Sequence, residues 1–243
     1  MRRICFPVLT FLLIFLSYDS VSAQKINTTL VYSVSPPSVK SDRPPALIFM
    51  HGYGSNEADL LDIARMLDGR FMTFSLRAPN VRPGGGFCWY DLQFLNNGEF
   101  KYDYSQVKQS STKVLSFISE ACKAHHLDST QVYLLGFSQG AIMSYELAMQ
   151  APSKIRGIIP LSGRLMTETR GHSINSSSLS KLRVFIGHGA SDDVINVRES
   201  EKAEAFLRGN KITDIVFRKY NIAHSISQEE ISDIKAWLSK AVN

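Results

Sequence analysis

Residues 131–140 read QVYLLGFSQG, and the architecture of the chain can be inferred outward from them. They begin as an apolar run typical of a buried strand and end in Gly136-Phe137-Ser138-Gln139-Gly140, after which apolar residues recur with helical spacing through Met149. A G-x-S-x-G sequence between a strand and a helix indicates a nucleophile elbow, a tight turn that holds its serine in a strained conformation. We therefore predict that the Ser138 hydroxyl stands exposed where the helix begins.

On both sides of this elbow, short apolar runs alternate with longer segments of helical period. That alternation predicts an α/β protein with a mostly parallel central sheet and helices on both faces, which together with the elbow indicates the α/β-hydrolase fold. The predicted strands are Leu30–Val34, Ala46–Met50, Phe71–Leu76, Gln131–Gly136, Ile155–Leu161, Leu182–Ile186 and Thr213–Tyr220, and the other predicted helices are Glu57–Leu67, Ser105–His126, Asn196–Arg208 and a last helix after Ser227.

The start of the last helix carries the sequence Ser227-Gln228-Glu229-Glu230. This is a capping box, in which the serine and the glutamate three residues later each accept a hydrogen bond from an unpaired backbone N–H group. We expect both Ser227 and Glu230 to cap this helix.

A serine hydroxyl is a poor nucleophile near neutral pH, so it needs a base that takes its proton and an acid that orients that base. In this fold the chain order is serine, then an acidic residue, then histidine. Asp192 follows a predicted strand, and His224 lies between the last strand and the last helix. The sequence predicts Ser138, Asp192 and His224 as a triad, with the adjacent Asp193 as the competing acid.

The negative oxygen that forms during acyl transfer needs two N–H donors. The fold takes one from the residue after the nucleophile and one from the loop after an earlier strand, which predicts the backbone amides of Gln139 and Tyr53. His51 and His188 also follow predicted strands, and we interpret both as structural residues of their loops.

The first 23 residues have the layout of an export signal. Arg2 and Arg3 precede an apolar run from Ile4 to Leu16, and small residues lead to a cleavage site after Ala23. We expect residues 1–23 to be a signal peptide and residues 24–243 to form one domain, exported to the periplasm or secreted. The apolar run is short for a membrane span, so an uncleaved anchor is the weaker alternative and no stable membrane span is predicted.

Composition argues against several other classes of protein. The formal net charge of +5 is spread without a basic stripe, so no nucleic-acid partner is predicted. The histidines lack the spacing of a zinc site, which predicts no metal. Beyond the signal, Cys88 and Cys122 could form a disulfide or remain free. The sequence carries no signal for an oligomeric state.

The chain resembles the phospholipase/carboxylesterase family of α/β-hydrolases, which includes acyl-protein thioesterases and bacterial carboxylesterases. The resemblance covers essentially the whole chain after the signal. It rests on Met50-His51-Gly52-Tyr53-Gly54-Ser55, Arg77-Ala78-Pro79, Trp89-Tyr90-Asp91, Leu135 to Ala141, Pro160-Leu161-Ser162-Gly163, His188-Gly189 with Asp192, and His224-Ser225-Ile226-Ser227 with Glu229-Glu230.

The resemblance implies the same triad, an oxyanion hole formed by Tyr53 and Gln139, and no cofactor. It also implies that Trp89 and Tyr90 lie beside the nucleophile as a wall of the substrate pocket. Where family members usually have a proline after the loop of the acidic residue, this chain has Asp192-Asp193-Val194-Ile195-Asn196.

The function expected from these features is an exported serine esterase that cleaves carboxyl esters through an acyl-enzyme on Ser138. The expected substrate is a short-chain, phenolic or acylated-carbohydrate ester, because acylated cytosolic proteins are not expected outside the cytoplasm. A lysophospholipase, a thioesterase or a peptidase could use the same triad. A binding module that kept the fold without the activity is the alternative from another class.

Overall fold

A computed structural model describes residues 25–94, 100–171 and 179–242. The predicted signal peptide, residues 1–23, lies outside these ranges. No helix within them has the length and apolar character needed to cross a bilayer. Cys88 and Cys122 are free thiols, and Cys88 is buried.

The centre of the molecule is a seven-stranded sheet with the strand order β1-β3-β2-β8-β9-β10-β11. Only β1 is antiparallel to its neighbour. Two small antiparallel hairpins, β4-β5 and β6-β7, fold outside the sheet. The strands are β1 (Tyr32–Ser35), β2 (Ala46–Met50), β3 (Met72–Leu76), β4 (Asn80–Val81), β5 (Phe87–Cys88), β6 (Leu92–Phe94), β7 (Phe100–Tyr102), β8 (Val132–Phe137), β9 (Gly157–Leu161), β10 (Arg183–Gly189) and β11 (Ile215–Tyr220).

Helices cover both faces of this sheet, as predicted for the α/β-hydrolase fold. Successive strand residues point to opposite faces, so Leu134 and Leu135 of β8 belong to two separate apolar cores. The helices are α1 (Leu61–Met66), α2 (Tyr104–Ala124), α3 (Gln139–Gln150), α4 (Thr167–Arg170), α5 (Arg198–Gly209) and α6 (Gln228–Ala241).

The two cores explain why the strands are almost uniformly apolar. Helices α2, α3 and α5 pack on one face through side chains such as Phe117, Met143 and Leu207. Helix α6 packs on the other face through Ile234 and Leu238. Each fully buried side chain of this size contributes roughly 1.5–3 kcal/mol to the hydrophobic stabilisation of the fold.

The helix predicted from Glu57 begins later, at Leu61. Residues 57–60 form turns, in which the Asn56 side chain accepts a hydrogen bond from the Ala58 backbone N–H. The Glu57 carboxylate is paired with the Arg77 guanidinium at the end of β3. The pattern of apolar residues does not show this ion pair, which joins Glu57 to the end of β3 four residues before α1 begins.

Only half of the predicted capping box is present at the start of α6. The Ser227 hydroxyl accepts a hydrogen bond from the Glu230 backbone N–H at 3.1 Å. The prediction for the Glu230 side chain was wrong, because that side chain faces the sheet beside Gly187 and is only 1% exposed. Neither of its carboxylate oxygens has a hydrogen-bond partner among the described residues. Burial raises the pKa of Glu230 to about 8.

This buried carboxyl group predicts a pH-dependent stability. The pKa of Glu230 is 4.5 in its ordinary state and about 8 in the fold, so between these values the folded chain holds a proton that unfolding releases. The free energy of unfolding should therefore fall as the pH rises through this window, by up to roughly 1.4 kcal/mol per pH unit from this one group. The measurement is denaturant unfolding at a series of pH values, in which the free energy of unfolding of Glu230→Gln should lack this dependence on pH.

The matched control is Glu229→Gln, which changes an exposed glutamate in the same helical turn. It should keep the slope of the unmodified protein. If the slopes of Glu230→Gln and the unmodified protein were the same, Glu230 would be ionised in the folded state already.

Candidate active site

Ser138 lies in a sharp turn between β8 and α3. Its φ angle is +53° and its ψ angle is −112°, a combination that non-glycine residues rarely adopt. The turn requires Gly136 and Gly140, because a side chain on Gly136 would collide with the Gly140 carbonyl and one on Gly140 with the Met50 carbonyl. The Ser138 N–H donates to the Leu161 carbonyl of β9 at 2.9 Å. The predicted elbow geometry is therefore present.

The structure brings Ser138, His224 and Asp192 into one hydrogen-bonded chain. The Ser138 hydroxyl donates to His224 Nε2 at 2.9 Å. His224 Nδ1 donates to Asp192 Oδ2 at 2.7 Å, since an ionised carboxylate only accepts. The loops that carry Asp192 and His224 follow β10 and β11, which are neighbouring parallel strands. Ser138 follows β8 of the same sheet, so residues 32 and 86 positions apart in the chain come into direct contact.

The surroundings of Asp192 favour its ionised form. Asp192 is 6% exposed, and its Oδ1 atom accepts hydrogen bonds from the backbone N–H groups of Val194 and Ile195 at 2.9 and 2.8 Å. Burial alone would raise the pKa of Asp192, but the hydrogen bonds from His224 and from these backbone groups outweigh it and lower that pKa. Asp193 is exposed instead, so the carboxylate that contacts the imidazole is that of Asp192.

A second histidine lies behind the acid. His188 is fully buried, and its Nε2 atom lies 2.7 Å from the Ile195 carbonyl and 3.2 Å from Asp192 Oδ2. Because the carbonyl only accepts, Nε2 carries the hydrogen, and Nδ1 accepts from the Ser200 hydroxyl at 2.7 Å. Burial lowers the pKa of His188, which keeps the ring neutral. Its position four residues before Asp192 is the sequence signal that could have indicated this contact.

The backbone N–H groups of Tyr53 and Gln139 are the predicted oxyanion donors. Tyr53 and Gln139 line the same cavity as Ser138. Among the residues that the structure describes, neither backbone N–H has an acceptor. Gln139 is the first residue of α3, so its N–H has no partner within the helix and lies at the positive end of the helix dipole. The arrangement suits an oxyanion next to the serine.

Trp89 and Tyr90 are not walls of this cavity. Both are fully buried, and neither lines the space around Ser138. The Trp89 indole N–H donates to the His51 carbonyl at 3.0 Å, and the Gln139 side-chain oxygen accepts from the Trp89 backbone N–H at 2.8 Å. The Gln139 amide nitrogen donates to the Tyr90 carbonyl at 2.7 Å. These aromatic residues therefore support the two loops that carry Tyr53 and Gln139.

His51 has a structural position in the same network. It is fully buried, its Nδ1 donates to the Gly52 carbonyl at 2.7 Å, and its Nε2 accepts from the Ala78 backbone N–H at 3.0 Å. Burial lowers the pKa of His51, so the ring stays neutral. The contacts join the loop after β2 to the loop after β3.

The cavity above Ser138 has a volume of about 280 Å³. The sequence indicated only residues of the triad and of the oxyanion hole around this cavity. Its apolar wall comes from segments far apart in the chain, which no sequence pattern relates to one another. The apolar lining residues are Leu92, Phe137, Ile142, Val194 and Ile195, and the polar ones include Ser55 and Asp59.

The site combines a serine at a strained elbow, an imidazole that contacts it and a buried carboxylate that contacts the imidazole. Above a mostly parallel sheet with this strand order, that combination defines one class of enzyme. The protein is a serine hydrolase of the α/β-hydrolase fold. More narrowly, the chain belongs to the phospholipase/carboxylesterase family, whose family model matches residues 33–242.

Individual relatives agree with this assignment. The acyl-protein thioesterase 1 of Kluyveromyces lactis is 32% identical over 174 residues, which cover 68% of this chain and 75% of that protein. The protein of the same name from Debaryomyces hansenii is 27% identical over 204 residues, with 77% and 87% covered. Among solved structures, Bacillus cereus carboxylesterase has a TM-score of 0.75 at 23% identity, covering 88% of this chain and 96% of that one. That likeness shows the shared fold.

Proposed function

We propose that the protein hydrolyses carboxyl esters through an acyl-enzyme on Ser138. The observation that carries this proposal is the continuous hydrogen-bonded chain from Ser138 through His224 to Asp192. His224 takes the Ser138 proton as the hydroxyl oxygen attacks the ester carbonyl, and it then passes that proton to the departing alcohol. A water molecule, activated by the same imidazole, cleaves the acyl-enzyme and restores the serine.

The other polar groups of the site support this route. Asp192 fixes the imidazole so that Nε2 faces the serine, and it stabilises the imidazolium that forms. The Nε2 atom of the neutral His188 donates to the Ile195 carbonyl and lies 3.2 Å from Asp192 Oδ2, so His188 helps to hold that carboxylate in place. The backbone N–H groups of Tyr53 and Gln139 stabilise the oxyanion, a contribution of about 3 kcal/mol for each donor in comparable sites.

The proposed substrates carry a short acyl group. The cavity volume of about 280 Å³ lies near the small end of the range for ligand pockets. Its apolar wall suits an acetyl or butyryl chain, whereas a long fatty acyl chain would extend beyond it. Short-chain, phenolic and acylated-carbohydrate esters remain the proposed classes.

Thioester hydrolysis is a second candidate function. It is favoured by the similarity to the yeast proteins named acyl-protein thioesterase 1. The same triad could also cleave lysophospholipids or peptides, since the acyl-transfer chemistry is common to all of these substrates. The size of the cavity favours short esters over long-chain acyl substrates.

We further propose that the protein is exported and that the mature enzyme starts at Gln24. The basic start, the apolar run and the small residues before Ala23 support this proposal. An exported enzyme meets extracellular or periplasmic esters, which favours the ester substrates over intracellular thioesters.

The first test is a series of p-nitrophenyl esters of increasing acyl length, assayed with the mature protein and with Ser138→Ala. Activity should be highest for acetate and butyrate, fall for octanoate and longer chains, and decrease at least about a thousandfold in the variant. A matched pair of butyryl oxygen ester and butyryl thioester separates the two candidate functions. If no ester is cleaved and a fluorophosphonate probe does not label the protein, a binding role replaces the catalytic one.

The choice of acid predicts unequal effects of two neighbouring substitutions. Asp192→Asn removes the charge that contacts His224 and should lower kcat for p-nitrophenyl acetate about a thousandfold or more. Asp193→Asn changes an exposed carboxylate and should cost less than about tenfold. Equal losses in the two variants would contradict the assignment of Asp192.

Export has its own test. Mass spectrometry of the protein expressed from the full sequence in a secreting host should give a mature chain that begins at Gln24. Recovery of the intact chain in the membrane fraction would instead indicate an uncleaved anchor.

A further inference from the structure

A second, larger depression lies directly beside the catalytic cavity. It is an open groove of about 720 Å³, a size within the usual range for ligand sites. We call it the polar groove. Its walls come from the segments 164–170 and 192–196, from Tyr102 of β7, and from Glu199 and Lys202 of α5.

The polar groove and the catalytic cavity share parts of their walls. Val194 and Ile195 line both spaces, and Val194 is 57% exposed between them. The hairpin β6-β7 contributes to both as well, because Leu92 lines the cavity and its cross-strand partner Tyr102 lines the groove. A molecule whose reacting group lies at Ser138 can therefore extend past Val194 into the groove.

The groove is polar, but its charges are balanced. It is lined by the cations Arg164, Arg170 and Lys202 and by the acids Asp192, Asp193 and Glu199. Lys202 and Glu199 pair with each other at 2.6 Å, and Asp192 is engaged by His224. The side chains of Arg170 and Asp193 form no ion pair with any residue in the described ranges.

Balanced charges favour one kind of ligand over others. A strongly charged ligand would meet as much repulsion as attraction in this groove. Hydroxyl groups both donate and accept hydrogen bonds, so a neutral chain rich in hydroxyls can use guanidinium donors and carboxylate acceptors together. Leu165 and Met166 add apolar surface for the carbon-bonded faces of such a chain.

We propose that the polar groove binds the sugar chain of an acylated oligosaccharide whose acyl group occupies the catalytic cavity. This inference rests on the proposed ester hydrolysis and specifies its substrate class. The short acyl group lies against the apolar wall at Ser138, and the uncharged chain passes Val194 and lies along segment 164–170. Arg170 is the side chain that selects for this chain, and it takes no part in the chemical step.

The test compares kcat/KM for acetylated xylotetraose with kcat/KM for p-nitrophenyl acetate, which is too small to reach the groove. Arg170→Ala removes a donor, and Thr167→Trp fills the groove from the exposed first residue of α4. The ratio should fall about tenfold in Arg170→Ala, the loss expected for one hydrogen bond to a charged group, and at least as much in Thr167→Trp, which excludes the chain from the groove. Arg218→Ala is the matched control, because Arg218 is an exposed arginine on β11 outside both spaces.

The possible outcomes separate the two proposals. The unmodified enzyme could cleave p-nitrophenyl acetate and yet cleave acetylated xylotetraose and acetylated mannotetraose no faster than the corresponding acetylated monosaccharides. In that case the groove proposal fails and the proposed ester hydrolysis stands. The groove proposal also fails if both groove variants keep the ratio of the unmodified enzyme, or if Arg218→Ala lowers that ratio equally. If no ester is cleaved at all, the proposed function fails first.

Discussion

The close approach of α3 to the end of β2 is the contact on which the rest of the site depends. Gly140 lies against the Met50 carbonyl so tightly that no side chain fits between them. Ser138 lies in the turn just before Gly140, so this contact places it beside the loop that begins at His51. The strained φ angle of Ser138 is tolerated because β8, β9 and α3 fix the turn from three sides.

Hydrogen bonds to Trp89 extend this constraint to the proposed oxyanion donors. Its indole holds the His51 carbonyl, two residues before Tyr53, and its backbone N–H holds the side chain of Gln139. These contacts hold the loop of Tyr53 and the first residue of α3 in place without a ligand, and such preorganisation makes oxyanion donors effective. Residues 78–90, which follow β3, therefore support the site.

The sequence predicted those features of the structure that depend on residues close together in the chain. Strand periodicity and the glycines around Ser138 predicted the sheet and the elbow, because both follow from backbone geometry within a few residues. The contacts of Trp89 and Glu230 could not be predicted in this way. Each depends on a segment that lies far away along the chain, so Trp89 was assigned the pocket wall that the family resemblance implies, and the buried carboxyl group of Glu230 was assigned to a helix cap.

The segment 192–196 takes part in both the triad and the wall of the polar groove. Its backbone N–H groups hold one oxygen of Asp192, while its apolar side chains Val194 and Ile195 separate the catalytic cavity from the polar groove. Because the turn that holds Asp192 and the wall between the two spaces come from the same five residues, a substitution of Val194 or Ile195 changes the support of the acid together with the groove. Segment 164–170 lines the groove but not the catalytic cavity, so changes there leave the triad and its support in place.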